Sequence, residues 1–420
     1  MKRITLIFGL LFLSTSANAL PAVTLEQAFE AAKVRSEELA NQSELVTQAE
    51  ERYSQAIGSV LPNINFFATY FKQDSGSANG SISPTEQKTY RINATQPLFR
   101  GFREYAALSQ TTILAQAQSY RRDQAYLQLF EDTAQAYYQV LQAEQDLHNL
   151  QTEWDVNSKR LKDVSEFRRI GRSRASEVLT VQSNIATLEA QIESARTLLA
   201  TFRAIFAFQT GLNKNADLVD QEVFPSQIAD LNAYLDQIGN RPDMLAAKSS
   251  VAAAEKGATI ARGGHFPLLD LGANYYFARP GFLQNVRWDA ALTLTIPIFQ
   301  GGIVNSNLRV AASELKQAEL ALSRTQRLAQ EAIELTHAQL LGDLALIVKQ
   351  RKAVDLSTRN YEAERKDYRF GLVTNIEVLL AMTSSQEAKR ILDRAQYQFK
   401  INYLKLLGIT AARPKLKGKI

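Results

Sequence analysis

The sequence predicts an α+β membrane protein, in which long antiparallel α-helical hairpins join four transmembrane β-strands and the whole plan is written twice. Three observations carry that reading. The first is a repeat at a spacing of 200 residues. Pro97-Leu98-Phe99-Arg100-Gly101 returns as Pro297-Ile298-Phe299-Gln300-Gly301. Likewise Arg168-Arg169-Ile170-Gly171, ahead of Glu177-Val178-Leu179, returns as Tyr368-Arg369-Phe370-Gly371, ahead of Glu377-Val378-Leu379. A unit that cannot cover its own apolar face stacks on a copy of itself. The second is proline placement. No proline falls between Pro97 and Pro225 or between Pro297 and Pro414. An interior proline costs a helix ~3 kcal/mol, so both windows are free to be helical throughout. The third is four segments of about ten residues whose apolar side chains alternate with period two, the length of a tilted membrane-crossing strand.

Taken in order, residues 1–19 read as an export signal. Lys2-Arg3 form its basic start, Ile4 to Leu13 its apolar run and Ala17-Asn18-Ala19 its cleavage site. A crossing helix needs ~20 apolar residues, so this run is too short to anchor the chain. The first repeat, 20–212, opens with a helix near Thr24, where Thr24 and Gln27 fit a capping box. Strands are expected at 63–71 and 89–97. In the first, Ile64, Phe66, Ala68 and Tyr70 interleave with Asn63, Asn65, Phe67 and Thr69; in the second, Tyr90, Ile92 and Ala94 interleave with Arg91, Asn93 and Thr95. Helices are expected at 101–165 and 175–211, the first reaching ~100 Å at 1.5 Å per residue. Val178, Val181, Ile185, Leu188, Ile192, Ala195, Leu199, Phe202 and Phe206 form a heptad seam. The preceding helix carries two seams, Leu127-Phe130-Ala134-Tyr137-Leu141 and Ala136-Val140-Ala143-Leu147-Leu150-Trp154. Two seams let one helix touch two others, as a stave does, although an ordinary bundle shares the periodicity.

Residues 213–241 break both patterns, hold Pro225 and read as a linker or equatorial segment joining the copies. The second repeat, 242–410, places strands at 268–278 and 288–297 and helices at 301–366 and 375–408. Its seam runs Val378, Ala381, Ser385, Ala388, Leu392, Ala395, Phe399, Asn402, Leu406, with Ser385 and Asn402 as polar interruptions. Residues 411–420 form a basic tail, expected to be loose.

Four strands cannot close a barrel, and an open edge in lipid leaves unpaired backbone groups costing several kcal/mol each. The chain must therefore oligomerise to enter a membrane. Eight strands from two copies would fill their own interior, whereas twelve from three copies could conduct.

Composition excludes other classes. Without cysteine there are no disulfides, thiolate metal sites or acylated cysteine. The net charge of +5 falls to +3 once Lys2 and Arg3 are removed, and it is spread along the chain rather than striped for nucleic acid. His148, His265 and His337 have no ligand-spaced partners, and no phosphate-binding loop is present. No enzymatic activity and no cofactor are expected.

The export signal, the duplicated strand–helix plan, the P-x-F-x-G junctions and the G-x(5)-E-V-L turns together resemble the TolC family of outer-membrane efflux proteins over residues 20 to 410. The resemblance implies a homotrimer in outer-membrane lipid, a twelve-stranded barrel and a periplasmic helical tunnel. It further implies docking to a periplasmic adaptor and an inner-membrane transporter, for drug efflux or type I secretion. It implies a periplasmic gate at Ser176, Glu177, Tyr368, Glu377 and Leu380, in which Tyr368 bonds the first tip near Ser176 and Glu177 and Glu377 contributes to a carboxylate ring. Adaptor-docking tips fall at Gly171, Arg172, Gly371 and Leu372, and strand–helix junctions at Pro97, Gly101, Pro297 and Gly301. Two departures alter the gate: Leu380 stands at the family's second ring acid and Val373 at its reinforcing arginine, while the first tip carries Arg168, Arg169, Arg172 and Arg174. The rival readings are an exported trimeric coiled-coil structural or adhesive protein without a pore, and a soluble periplasmic enzyme.

Overall fold

The computed structural model describes residues 22–74 and 85–410. The expected export signal, most of the first strand-to-strand loop and the expected loose tail lie outside the described residues. Helices α1 (Leu25–Arg35) and α2 (Glu37–Val60) lead to β1 (Asn63–Lys72), β2 (Glu86–Phe99), α3 (Arg103–Arg169) and α4 (Ala175–Thr210). After a short α5 (Leu231–Leu235), α6 (Pro242–Arg262) leads to β3 (Leu268–Ala278), β4 (Trp288–Thr295), α7 (Ile303–Phe370) and α8 (Asn375–Ile409). At 67 and 68 residues, α3 and α7 each extend ~100 Å.

Thr24 and Gln27 cap α1 reciprocally. The N-terminal helix is two rather than one, because Ser36 ends α1 in an extended conformation and its hydroxyl accepts the Leu39 N–H to start α2. β2 begins at Glu86, earlier than the expected 89. β4 stops at Thr295, short of 297, two residues before Pro297, which cannot donate to the ladder.

All four strands form one antiparallel sheet in the order β1-β2-β3-β4. Register sorts the side chains by face. Phe66, Ile92, Tyr275 and Trp288 form one cross-strand row, with Phe66 63% and Trp288 69% exposed. On the opposite face Asn65, Asn93, Asn274 and Asp289 form another; Asn93 donates to Asn274 at 3.0 Å and Asn274 to Asp289 at 2.8 Å. The sheet is thus apolar on one side, polar on the other, and its outer edges on β1 and β4 pair with no strand among the described residues.

The helices pack as staves. α3 lies against α2, α4, α6 and α8. Its first seam is buried throughout; in the second, Leu147 and Trp154 are half-buried against α4. The polar interruptions in the α8 seam are contacts to α7: Ser385 Oγ lies 3.2 Å from Thr358 Oγ1, and Asn402 donates to Asp343 at 2.7 Å. The main core gathers Leu25, Phe29, Phe130, Tyr137, Tyr138 and Phe206. Residues 213–241 form a belt around it rather than a slack connection. Val23 bridges Leu218, Tyr137 Oη lies 2.6 Å from the Val219 carbonyl, and Asp220 pairs with Lys400. The Lys400 ammonium sits 5.2–5.8 Å from the rings of Tyr138, Phe224 and Tyr397.

Candidate functional site

Both long hairpins reverse through the same turn. The Arg172 N–H reaches Phe167 O at 2.7 Å and the Gly171 N–H reaches Arg168 O at 3.0 Å. Two hundred residues on, Leu372 reaches Asp367 O at 3.1 Å and Gly371 reaches Tyr368 O at 3.0 Å. This Schellman arrangement needs a left-handed residue. Gly171 and Gly371 supply it at φ +78° and +77°, where a side chain would cost ~1–2 kcal/mol.

The helices that follow start differently. Thr374 donates through its N–H (2.5 Å) and hydroxyl (2.8 Å) to Glu377 Oε2, closing a capping box on α8. These bonds, the N–H first, hold the Glu377 carboxyl below its ordinary range. Arg174 occupies the equivalent position before α4 and makes no side-chain cap. There Ser173 Oγ donates to Glu177 Oε2 at 2.8 Å instead. Both glutamates are therefore held by their own turns.

The two tips are tied together by a residue that sequence reasoning passed over. Arg160, on α3, lays its guanidinium 3.9 Å from the centroid of the Tyr368 ring and donates from Nε to Asn375 Oδ1 at 2.8 Å. Phe167 packs on the same tyrosine at 5.9 Å between centroids. Burial pushes the Tyr368 hydroxyl pKa up and the Arg160 pKa down. The signal was present: Glu153, Asn157, Arg160 and Val164 continue the α3 seam with steps of four, three and four. Polar residues at seam positions mark a polar contact between helices. Further along, Arg390 pairs with the buried Glu153, and Arg394 reaches Asp146 at 2.9 Å. These charged pairs add to the apolar packing of Val164 on α3 with Leu379 and Met382 on α8.

Of the expected gate residues, Tyr368 and Glu177 line a cleft of about 460 Å³ between the tips, with Gly171, Arg172, Arg174, Arg369, Gly371 and Val373. Ser176 is exposed beside it, Leu372 projects at the end, and Leu380 is 66% exposed one turn into α8. The hydrogen bond from Tyr368 to Ser176 or Glu177 is not formed within the chain: Glu177 accepts from Ser173, and Tyr368 turns its ring face to Arg160.

The junctions at the other end of the helices also differ between copies. At Gly101 (φ +68°) a Cβ would lie 2.5 Å from the Gly263 carbonyl, and Arg100 beside it pairs with Asp270 at 3.0 Å. Pro97 sits within β2, opposite Asp270. At Gly301 (φ +59°) nothing stands within 4 Å, and Ile298 and Phe299, just after Pro297, are 95% and 86% exposed. Among the described residues no helix is long and apolar enough to cross a membrane, and no group of three or more metal-ligating side chains occurs.

The family model described as outer membrane efflux protein matches residues 28–221 and 234–412. Outer membrane protein TolC of Escherichia coli strain K12 is 25% identical over 427 residues, covering 97% of this chain and 86% of that protein. Outer membrane efflux protein BepC of Brucella suis biovar 1 is 24% identical over 362 residues, covering 82% and 77%. The fold is similar to that of the crystal structure of the outer membrane protein VceC from Vibrio cholerae, with a TM-score of 0.81 at 19% identity over 92% of this chain and 95% of that one. With the matched family spanning both repeats, the chain belongs to the outer membrane efflux proteins, a family of outer-membrane channels rather than enzymes.

Proposed function

We propose that three copies of this chain close a twelve-stranded barrel in the outer membrane and extend it as a helical tunnel through the periplasm. That tunnel is the exit duct of a tripartite efflux pump or a type I secretion system. The observation that carries this reading is the open four-stranded sheet, exposed and apolar on one face, polar on the other, and unpaired at both edges among the described residues. In lipid each unpaired edge group costs several kcal/mol, and neighbouring copies remove both edges at once. Helix α7 supports the same assembly. Ile303, Val310, Leu328, Leu335 and Leu346 are exposed and, at spacings of 7, 18, 7 and 11, fall on one face within roughly 40°. That unpartnered stripe suits the next subunit, as do Ile298 and Phe299 at its start. The adhesive alternative has no support, since the matched family is one of efflux channels.

At the far end the paired tips form the gate and meet a periplasmic adaptor that joins the duct to an inner-membrane transporter. Arg160, stacked on Tyr368, latches the first hairpin to the second; Leu380 and Ile376 give the constriction an apolar lining, and Glu377 from each subunit adds a carboxylate. Purified protein in planar bilayers should conduct as a trimer, and cysteines placed at Arg172 and Leu372 should capture the adaptor. A chain that stays monodisperse as a single copy without detergent overturns the proposal.

A further inference from the structure

We infer that the partner seated on these tips presents carboxylates to them: an adaptor hairpin whose turn carries Asp or Glu. This rests on the docking reading above and adds the chemistry of the contact. Residues 166–177 carry four arginines (Arg168, Arg169, Arg172, Arg174) against Glu166 and Glu177, a net of +2; residues 366–377 balance Lys366 and Arg369 against Asp367 and Glu377. Three of these four carboxylates are already engaged. Glu166 pairs with Arg169, Glu177 accepts from Ser173 and Glu377 from Thr374. Arg168, Arg172, Arg174 and Arg369 form no ion pair among the described residues.

The surplus has a shape. Arg172, Arg174 and Arg369 line the cleft between the turns, beside Phe167 and Tyr368. Arg172 stands 5.8 Å over the Phe167 ring, which orients its guanidinium. Around it Ile170, Phe370 and Leu372 are 54%, 70% and 73% exposed, an apolar crown around a basic socket. A guanidinium fork donates two parallel hydrogen bonds to a carboxylate, so an acidic side chain on an apolar-flanked turn fits both parts. In a trimer the +2 per chain becomes +6 at one end of the tunnel, and charges within a Debye length of ~8 Å repel unless a partner neutralises them.

The test uses the detergent-solubilised trimer and two synthetic helical hairpins that differ only in the turn, one bearing two Glu and the other two Lys. The acidic hairpin should bind more tightly and weaken as salt rises. The double variant Arg172→Gln/Arg369→Gln should bind it roughly tenfold more weakly and lose most of the salt dependence, with trimer assembly unchanged. Equal binding of both hairpins, or preference for the basic one, overturns the inference while leaving tip docking intact. Loss of trimer in the variant also overturns it, by assigning these arginines to contacts between subunits. Failure of Leu372→Cys to crosslink either hairpin overturns the docking reading as well.

Discussion

Replacing Arg160 with Ala should release the link between the two hairpins and raise the closed-state conductance of the channel. The size of the effect follows from the contacts. A desolvated cation–π pair is worth ~2 kcal/mol, and a hydrogen bond from a charged donor, here 2.8 Å to Asn375, adds ~1.5–3 kcal/mol. Against this, Arg160 Nη2 has no partner, and ordering a long side chain costs ~2 kcal/mol. Leaving that buried nitrogen unpaired costs at least ~1 kcal/mol, so about 1 kcal/mol per subunit remains, roughly a five-fold shift between latched and released tips. Single-channel recording in planar bilayers reads this directly. Arg160→Lys keeps the charge but loses the flat stack and should give an intermediate conductance. The controls separate ring from hydroxyl. Tyr368→Phe keeps the face that Arg160 uses and should stay closed, whereas Tyr368→Ala should match Arg160→Ala. Wild-type conductance in folded Arg160→Ala trimers, or opening by Tyr368→Phe alone, would refute the latch.

Two further outcomes are expected. Gly101→Ala places a Cβ against the Gly263 carbonyl at positive φ and should cost ~2–4 kcal/mol in thermal unfolding, while Gly301→Ala meets only the backbone penalty of ~1–2 kcal/mol; an equal loss at both sites would show that a neighbouring subunit packs on Gly301. Glu131 is half-buried on α3 against Gly408, and burial, opposed by Lys405, pushes its carboxyl up to about 7 from 4.5. The unfolded chain thus releases this proton first as pH rises, so stability is greatest below 4.5 and falls by up to about 3 kcal/mol by pH 7. Glu131→Gln should flatten that decline, and a variant melting no higher than the wild type at pH 8 would exclude it.

Much of the architecture was legible because it follows from local rules that the chain states twice. The proline-free windows became α3 with α4 and α7 with α8, and the period-two segments became strands whose register keeps each apolar row on one face. Local patterns could not reveal contacts between the copies. Arg160 and Asn375 are 215 residues apart; the polar seam position of Arg160 marks a contact between helices, but nothing near it names Asn375 as the partner. The packing of 213–241 is hidden from local patterns for the same reason: Asp220 and Phe224 acquire meaning only beside Lys400 on α8. Ser385 and Asn402 looked like defects because a heptad template scores polarity as failure, yet each finds a polar partner on α7. At the tips Tyr368 and Glu177 line one cleft, and the contact that forms is not the bond the resemblance implies. Ser173 satisfies Glu177, which leaves the tyrosine ring for a cation.

The two reversals of the chain share a backbone and differ in chemistry: Ser173 with Arg174 on one, Val373 with Thr374 on the other. A threefold assembly therefore offers six outwardly similar knuckles in two alternating kinds. A mate with six identical arms cannot be gripped alike by all of them; every second arm meets an arginine-flanked seat, and those between meet a capped, nearly neutral one.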